Sequence, residues 1–129
     1  MSSLKNLDMA AAMSTYNNIV IKKTLFSTKA VYKPTGSPVK AMVLEYSPSE
    51  GERVARLLNM PIDKMAADIE QNGKPVAGAN GNFRLEVCIS SDRQFCALQL
   101  FRYADFSYCP LSEPRFFEGE EVEKVAKLF

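Results

Sequence analysis

Arg102, Tyr103, Asp105, Tyr108 and Cys109 put a cation, two phenols, a carboxylate and a thiol within eight residues. In a cleft, such a group binds a polar ligand or supplies an acid and a base. Their spacing specifies no reaction. The chain has no histidine, which excludes Ser-His-Asp and Cys-His catalysis, His-ligated zinc and a histidine pH switch. Acid–base work falls to Asp, Glu, Lys, Tyr or Cys. The thiols Cys88, Cys96 and Cys109 include no C-x-x-C pair, and they are too few for a thiolate zinc site. An odd number fits reduced thiols better than a disulfide framework. Gly78-x-x-Gly81 lacks the strand–glycine–helix context and the Lys-Ser/Thr of a phosphate loop. No catalytic residue, metal site or cofactor is assigned, and the chemistry leans away from an enzyme.

Phe95, Phe101, Tyr103, Phe106, Tyr108, Phe116 and Phe117 are seven of the chain's thirteen aromatic residues, and Arg93, Arg102 and Arg115 lie among them. Aromatic rings with arginines on an open sheet can stack single-stranded bases. However, no RNP-type sequence is present, and residues 82–117 carry no net charge. The same mixture is enriched at protein–protein hot spots, and the simplest expectation is that these residues build the core, with Arg paired to Asp105 or Glu113. The leading expectation is a non-enzymatic interaction protein, acting as a homo-oligomer or as a subunit of an assembly. Its contact residues are Leu98, Leu100, Arg102, Tyr103, Phe106 and Tyr108. The second alternative is a small-ligand binder or enzyme around Arg102–Cys109.

Residues 1–48 hold six lysines against Asp8 and Glu45, a net of +4. That bias suits either an acidic partner or a solvated lysine face. The stretch VARLLNMPIDKMAADI, residues 54–69, resembles a helix-turn-helix, and with Gly73 and the strand from Phe83 it is similar to small winged excisionase-like domains. The resemblance implies a DNA-associated regulator using the helix pair at 51–72. Its second helix carries Asp63, Asp68 and Glu70 against Lys64 alone. Acidic charge there works against DNA, whose affinity depends on Lys and Arg neutralising phosphates. A nucleic-acid partner is therefore disfavoured relative to a protein partner or self-association.

These residues need a scaffold. A chain of 129 residues with 47% hydrophobic content has the size and apolar fraction of one globular domain. The fold class expected is α+β: an antiparallel sheet of about four to five strands, packed by a central helix pair and a C-terminal helix. Strands are expected at Ile19–Lys23, Phe26–Tyr32, Lys40–Tyr46, Phe83–Ile89 and Phe95–Tyr103. Ser47, Pro48 and Glu50 form a capping box for the first helix of the pair; Pro61 starts the second, and Asn72-Gly73 stops it. Residues 1–16 are expected to form a loosely docked helix, capped by Ser2 or Ser3, and Gly119–Phe129 a C-terminal one. After Tyr103 the chain reads as irregular up to that helix. A five-residue loop after Ile89 would set Ile89 opposite Phe95 and Cys88 opposite Cys96. No apolar run reaches the roughly 20 residues of a spanning helix, and no signal-peptide pattern opens the chain. A cytoplasmic protein without a membrane partner is expected.

Overall fold

The computed structural model describes residues 4, 6–78 and 81–129. The fold is α+β, as expected from the sequence, with more strands than the sequence signalled. Its elements are α1 (Ala10–Ser14), β1 (Ile19–Lys23), β2 (Thr28–Tyr32), β3 (Ser37–Tyr46), α2 (Pro48–Leu58), α3 (Ile62–Asn72), β4 (Phe83–Ser90), β5 (Phe95–Ala104), β6 (Ser107–Pro110), β7 (Arg115–Glu118) and α4 (Glu121–Ala126). The strands form an antiparallel sheet in the order β1-β2-β3-β4-β5-β6. β7 also pairs with β5, alongside its first half, while β6 takes its second half.

Local chemistry sets the helix pair. Ser47 caps α2 by accepting from the Glu50 amide at 3.4 Å, and Pro48 fits the first turn. The capping box is only half formed, because the Glu50 carboxylate accepts from the Val76 amide instead, at 3.2 Å. Gly73 ends α3 at φ 81°, a conformation open to glycine. Gly51 lies directly over the Phe83 ring, so a Cβ there would overlap it. Its absence lets α2 sit flush on β4. α1 is shorter than expected, and its proposed caps Ser2 and Ser3 fall outside the described residues.

The centre of the sheet, β4 and the first seven residues of β5, is buried on both faces. On one, α2, α3 and α4 cover Leu85, Val87, Leu98 and Leu100 with Val54, Leu57, Met65, Val122 and Val125. On the other, the N-terminal segment brings Leu4, Leu7, Met9 and Met13 onto Ile19, Ala30, Val39, Cys88, Phe95, Ala97 and Phe101.

This corrects two expectations. The loop between β4 and β5 is four residues long, 91–94, with Arg93 at φ 59°. Ser90 pins it, accepting from the amides of Gln94 and Phe95 at 3.1 and 3.0 Å. Ile89 therefore pairs with Cys96, and Cys88 with Ala97. A one-residue slip exchanges faces, so Cys88 and Cys96 belong to opposite cores. Burial pushes both thiols up to about 12, which leaves them protonated packing groups. The same slip turns Leu98 and Leu100 towards the helices, where both are fully buried. Neither can form a contact surface.

Glu118 on β7 ties the sheet's far edges together. Its Oε1 accepts from Asn18 Nδ2 at 2.7 Å and from the Tyr32 hydroxyl at 2.8 Å. Tyr16, stacked on Phe116 at 4.4 Å, lies close enough to Glu118 for the two groups to act on each other's ionisation. Burial acts to raise the Glu118 carboxyl, but these donors outweigh it and hold it below the usual carboxylate range. Burial, reinforced by Glu118, pushes the Tyr16 and Tyr32 hydroxyls up to about 12. A raised folded pKa favours the protonated native form, so this contribution is whole below the unfolded value near 10 and lost as pH rises through about 12. Thermal melts across pH should show stability falling between pH 10 and about 12. Tyr32→Phe should flatten that fall while costing about 1.5–3 kcal/mol at neutral pH.

Candidate functional site

The β5–β6 hairpin carries the remaining sequence-predicted residues. Its strands pair Tyr103 with Tyr108 and Arg102 with Cys109. The two-residue turn is Asp105-Phe106, with both residues at positive φ, 52° and 67°. That is the pattern of a type I′ turn, whose second position ordinarily holds glycine. Phenylalanine there pays about 1–2 kcal/mol in backbone strain. It also gains no burial: Phe106 is 94% exposed. Among the described residues it is the most exposed of the large apolar side chains.

The stem behind this tip is ordered. Tyr103 and Tyr108 meet edge to face with centroids 5.1 Å apart. The Arg84 guanidinium lies 5.0 Å from the Tyr108 ring centroid. On the opposite face Arg102 lies 5.7 Å from the Phe83 ring centroid. The structure thus brings Arg102, Tyr103, Phe106 and Tyr108 onto one ribbon and separates them from Leu98 and Leu100. Asp105 and Cys109 are exposed on that ribbon, so the polar group of residues 102–109 is spread along a two-stranded projection instead of lining a cleft. A cavity of about 350 Å³ lies elsewhere, between α1 and the β1–β2 hairpin, lined in part by Leu4, Ala10, Ala11 and Ile21. None of the sequence-predicted site residues lines it.

Glu86, which sequence reasoning did not single out, positions this stem. It is completely buried among apolar side chains. Its Oε2 accepts from Arg84 Nε at 2.9 Å, and its two oxygens accept from the amides of Asp8 and Met9 at 3.1 and 2.9 Å. Arg84 also donates to the Asn6 carbonyl at 3.2 Å. Burial pushes the Glu86 carboxyl above its ordinary range, while the two amides and Arg84 pull the other way. One carboxylate therefore satisfies backbone donors at the start of α1 and fixes the arginine that packs on Tyr108. A glutamate between the inward-facing leucine and valine of a strongly apolar strand was the available sequence signal.

Two carboxylates of the helix pair are held in ion pairs. Asp68 pairs with Arg53 at 3.0 Å, and Asp63 with Lys124 of α4 at 3.0 Å. Lys64, Ala67 and Glu70 are the exposed residues along the middle of α3. That outer surface offers phosphate a single lysine beside a glutamate.

No family model, curated protein or solved structure matches this chain. The functional reading therefore rests on the molecule itself.

Removing the Glu86 carboxylate leaves Arg84 and two amides without their acceptor. Glu86→Ala should lose about 3–5 kcal/mol in urea denaturation. Glu86→Gln, which keeps one acceptor oxygen, should lose less.

Proposed function

We propose that this chain is a non-enzymatic protein-binding domain that presents the β5–β6 hairpin to a polypeptide partner. The observation that carries the reading is Phe106, 94% exposed at φ 67°. Glycine at that position would relieve strain and remove an apolar ring from water. For folding alone, phenylalanine is the worse residue. Its cost is recovered if the ring enters an apolar pocket on another molecule.

The surroundings support this. Tyr103, Tyr108, Arg84 and Arg102 flank the tip, and aromatic residues with arginine supply most of the energy in protein interfaces. Stacking holds them in place before binding, which reduces the entropy lost when a partner docks. A second copy and a different polypeptide both satisfy this chemistry. The extended arrangement of Arg102, Asp105, Tyr108 and Cys109 favours a contact ribbon over a catalytic pocket.

Phe106→Gly separates stability from function. It should stabilise the fold by roughly 1 kcal/mol in urea denaturation. It should also reduce at least tenfold the complex seen by native mass spectrometry of protein purified gently from its own cells. A variant that keeps the same polypeptide at the same stoichiometry would contradict the proposal. So would a wild-type protein that is a bare 14.4 kDa species.

A further inference from the structure

The β1–β2 hairpin is a second projection, with a different chemistry. Residues 9–44 contain five lysines and no Asp, Glu or Arg. The register places three of those lysines on one face. Lys22 pairs directly with Lys29. Lys29 and Lys40 each adjoin a member of the Ala30–Val39 pair, the β2–β3 pair farthest from the turn that joins those two strands. Ala30 and Val39 point into the core beneath the N-terminal segment, so all three lysines point outward. Like charges directly opposite each other destabilise a sheet. Among the described residues no carboxylate is within ion-pair distance of any of them. Lysines on an edge strand guard against aggregation, which accounts for Lys22 and Lys23 on β1. It does not account for Lys29 and Lys40 on inner strands.

The hairpin's apex is apolar. Leu25 and Phe26 stand side by side at its tip, 85% and 83% exposed. The turn beneath them closes its own polar groups. The Thr24 amide donates to the Ser27 carbonyl at 2.8 Å. The Ser27 amide donates to Thr24 Oγ1 at 3.0 Å, and the two hydroxyls lie 3.0 Å apart. The Thr24 and Ser27 groups closed in this way reduce the polar cost of bringing the two apolar side chains to an interface.

We infer that the β1–β2 hairpin docks on an anionic phospholipid surface, with Leu25 and Phe26 entering the bilayer interface and Lys22, Lys29 and Lys40 facing the phosphates. The spacing fits. Lys22 and Lys29 are each three residues from the nearer apex residue, about 10 Å at roughly 3.3 Å per residue. Interfacial apolar groups sit about 5–10 Å into the headgroup and acyl boundary. Inserting the apex therefore brings the lysines to headgroup level. A second copy does not fit this face, because two lysine rows would meet. The absence of a spanning helix among the described residues is no obstacle, since a hairpin resting on a surface spans nothing.

The chain contains no tryptophan, so Phe26→Trp is a unique fluorescent reporter at the apex. Its emission should shift to the blue with phosphatidylcholine vesicles carrying roughly one-third phosphatidylserine. It should not shift with phosphatidylcholine alone, nor with polyuridylate or polyglutamate. Adding Lys22→Gln and Lys29→Gln should weaken vesicle binding about 25-fold, near fivefold per lysine. In the wild-type chain, Leu25→Ser with Phe26→Ser should abolish co-sedimentation with the same vesicles. Both sets of changes are at exposed positions, and unchanged melting will show that the fold is intact. Phe106→Gly should bind vesicles like wild type, which keeps this test apart from the protein-binding proposal. No blue shift with anionic vesicles, an equal shift with neutral ones, or a response to the RNA or polyglutamate in their place would overturn the inference.

Discussion

A carboxylate with no exposure to water holds two parts of this molecule together. Glu86 sits in the middle of β4, on the face covered by the N-terminal segment. An isolated buried charge would cost several kcal/mol. Here it accepts from two backbone amides and one guanidinium. The donors need it as much as it needs them: α1 has no side-chain cap of its own, and Arg84 is largely shielded from solvent. Without Glu86 the segment carrying Leu4, Leu7, Met9 and Met13 would keep the bond from the Leu4 amide to the Thr28 carbonyl but lose its anchor at Asp8 and Met9. The core beneath it would then open to water.

That arrangement explains the shape of the whole. With the N-terminal segment on one face and three helices on the other, β4 and β5 become the centre of a three-layer stack. Their neighbours extend beyond the cover. The β1–β2 hairpin at one edge and the β5–β6 hairpin at the other are freed from packing at their tips. Leu25, Phe26 and Phe106 stand in these two turns, and both turns lie at the same end of the antiparallel strands. A sheet twists by roughly 20–25° per strand, so the two tips point in different directions. They are best understood as separate surfaces, one aromatic with arginines and one apolar with lysines.

Much of this was legible where the determining chemistry is local. Ser47, Pro48, Pro61 and Gly73 mark the ends of α2 and α3, because caps and breakers act within a turn. The five longer strands were legible from their apolar patterns. β6 and β7 were not: four residues each, with Pro110 in one, they owe their form to pairing with β5. The β4–β5 register is not legible, because both faces of these strands are apolar and the pattern does not choose between neighbouring registers. The faces taken by Leu98, Leu100 and the two buried thiols follow from that register. Phe106 was named for its ring, but Asp-Phe carries no turn signal and its strain appears only in the backbone. The lysine row was hidden for another reason. Lys22, Lys29 and Lys40 are scattered in sequence, and only strand pairing gathers them.

The account depends on the Glu86 anchor being part of the global fold. Native-state hydrogen exchange at the amides of Asp8 and Met9 tests that directly. If Glu86 clamps the N-terminal segment into the core, both amides should exchange only through global unfolding, with the same opening free energy as the central amides of β4 and β5. If they exchange at loop-like rates while those strands stay protected, the segment is a loose cover and the central role given to Glu86 is wrong.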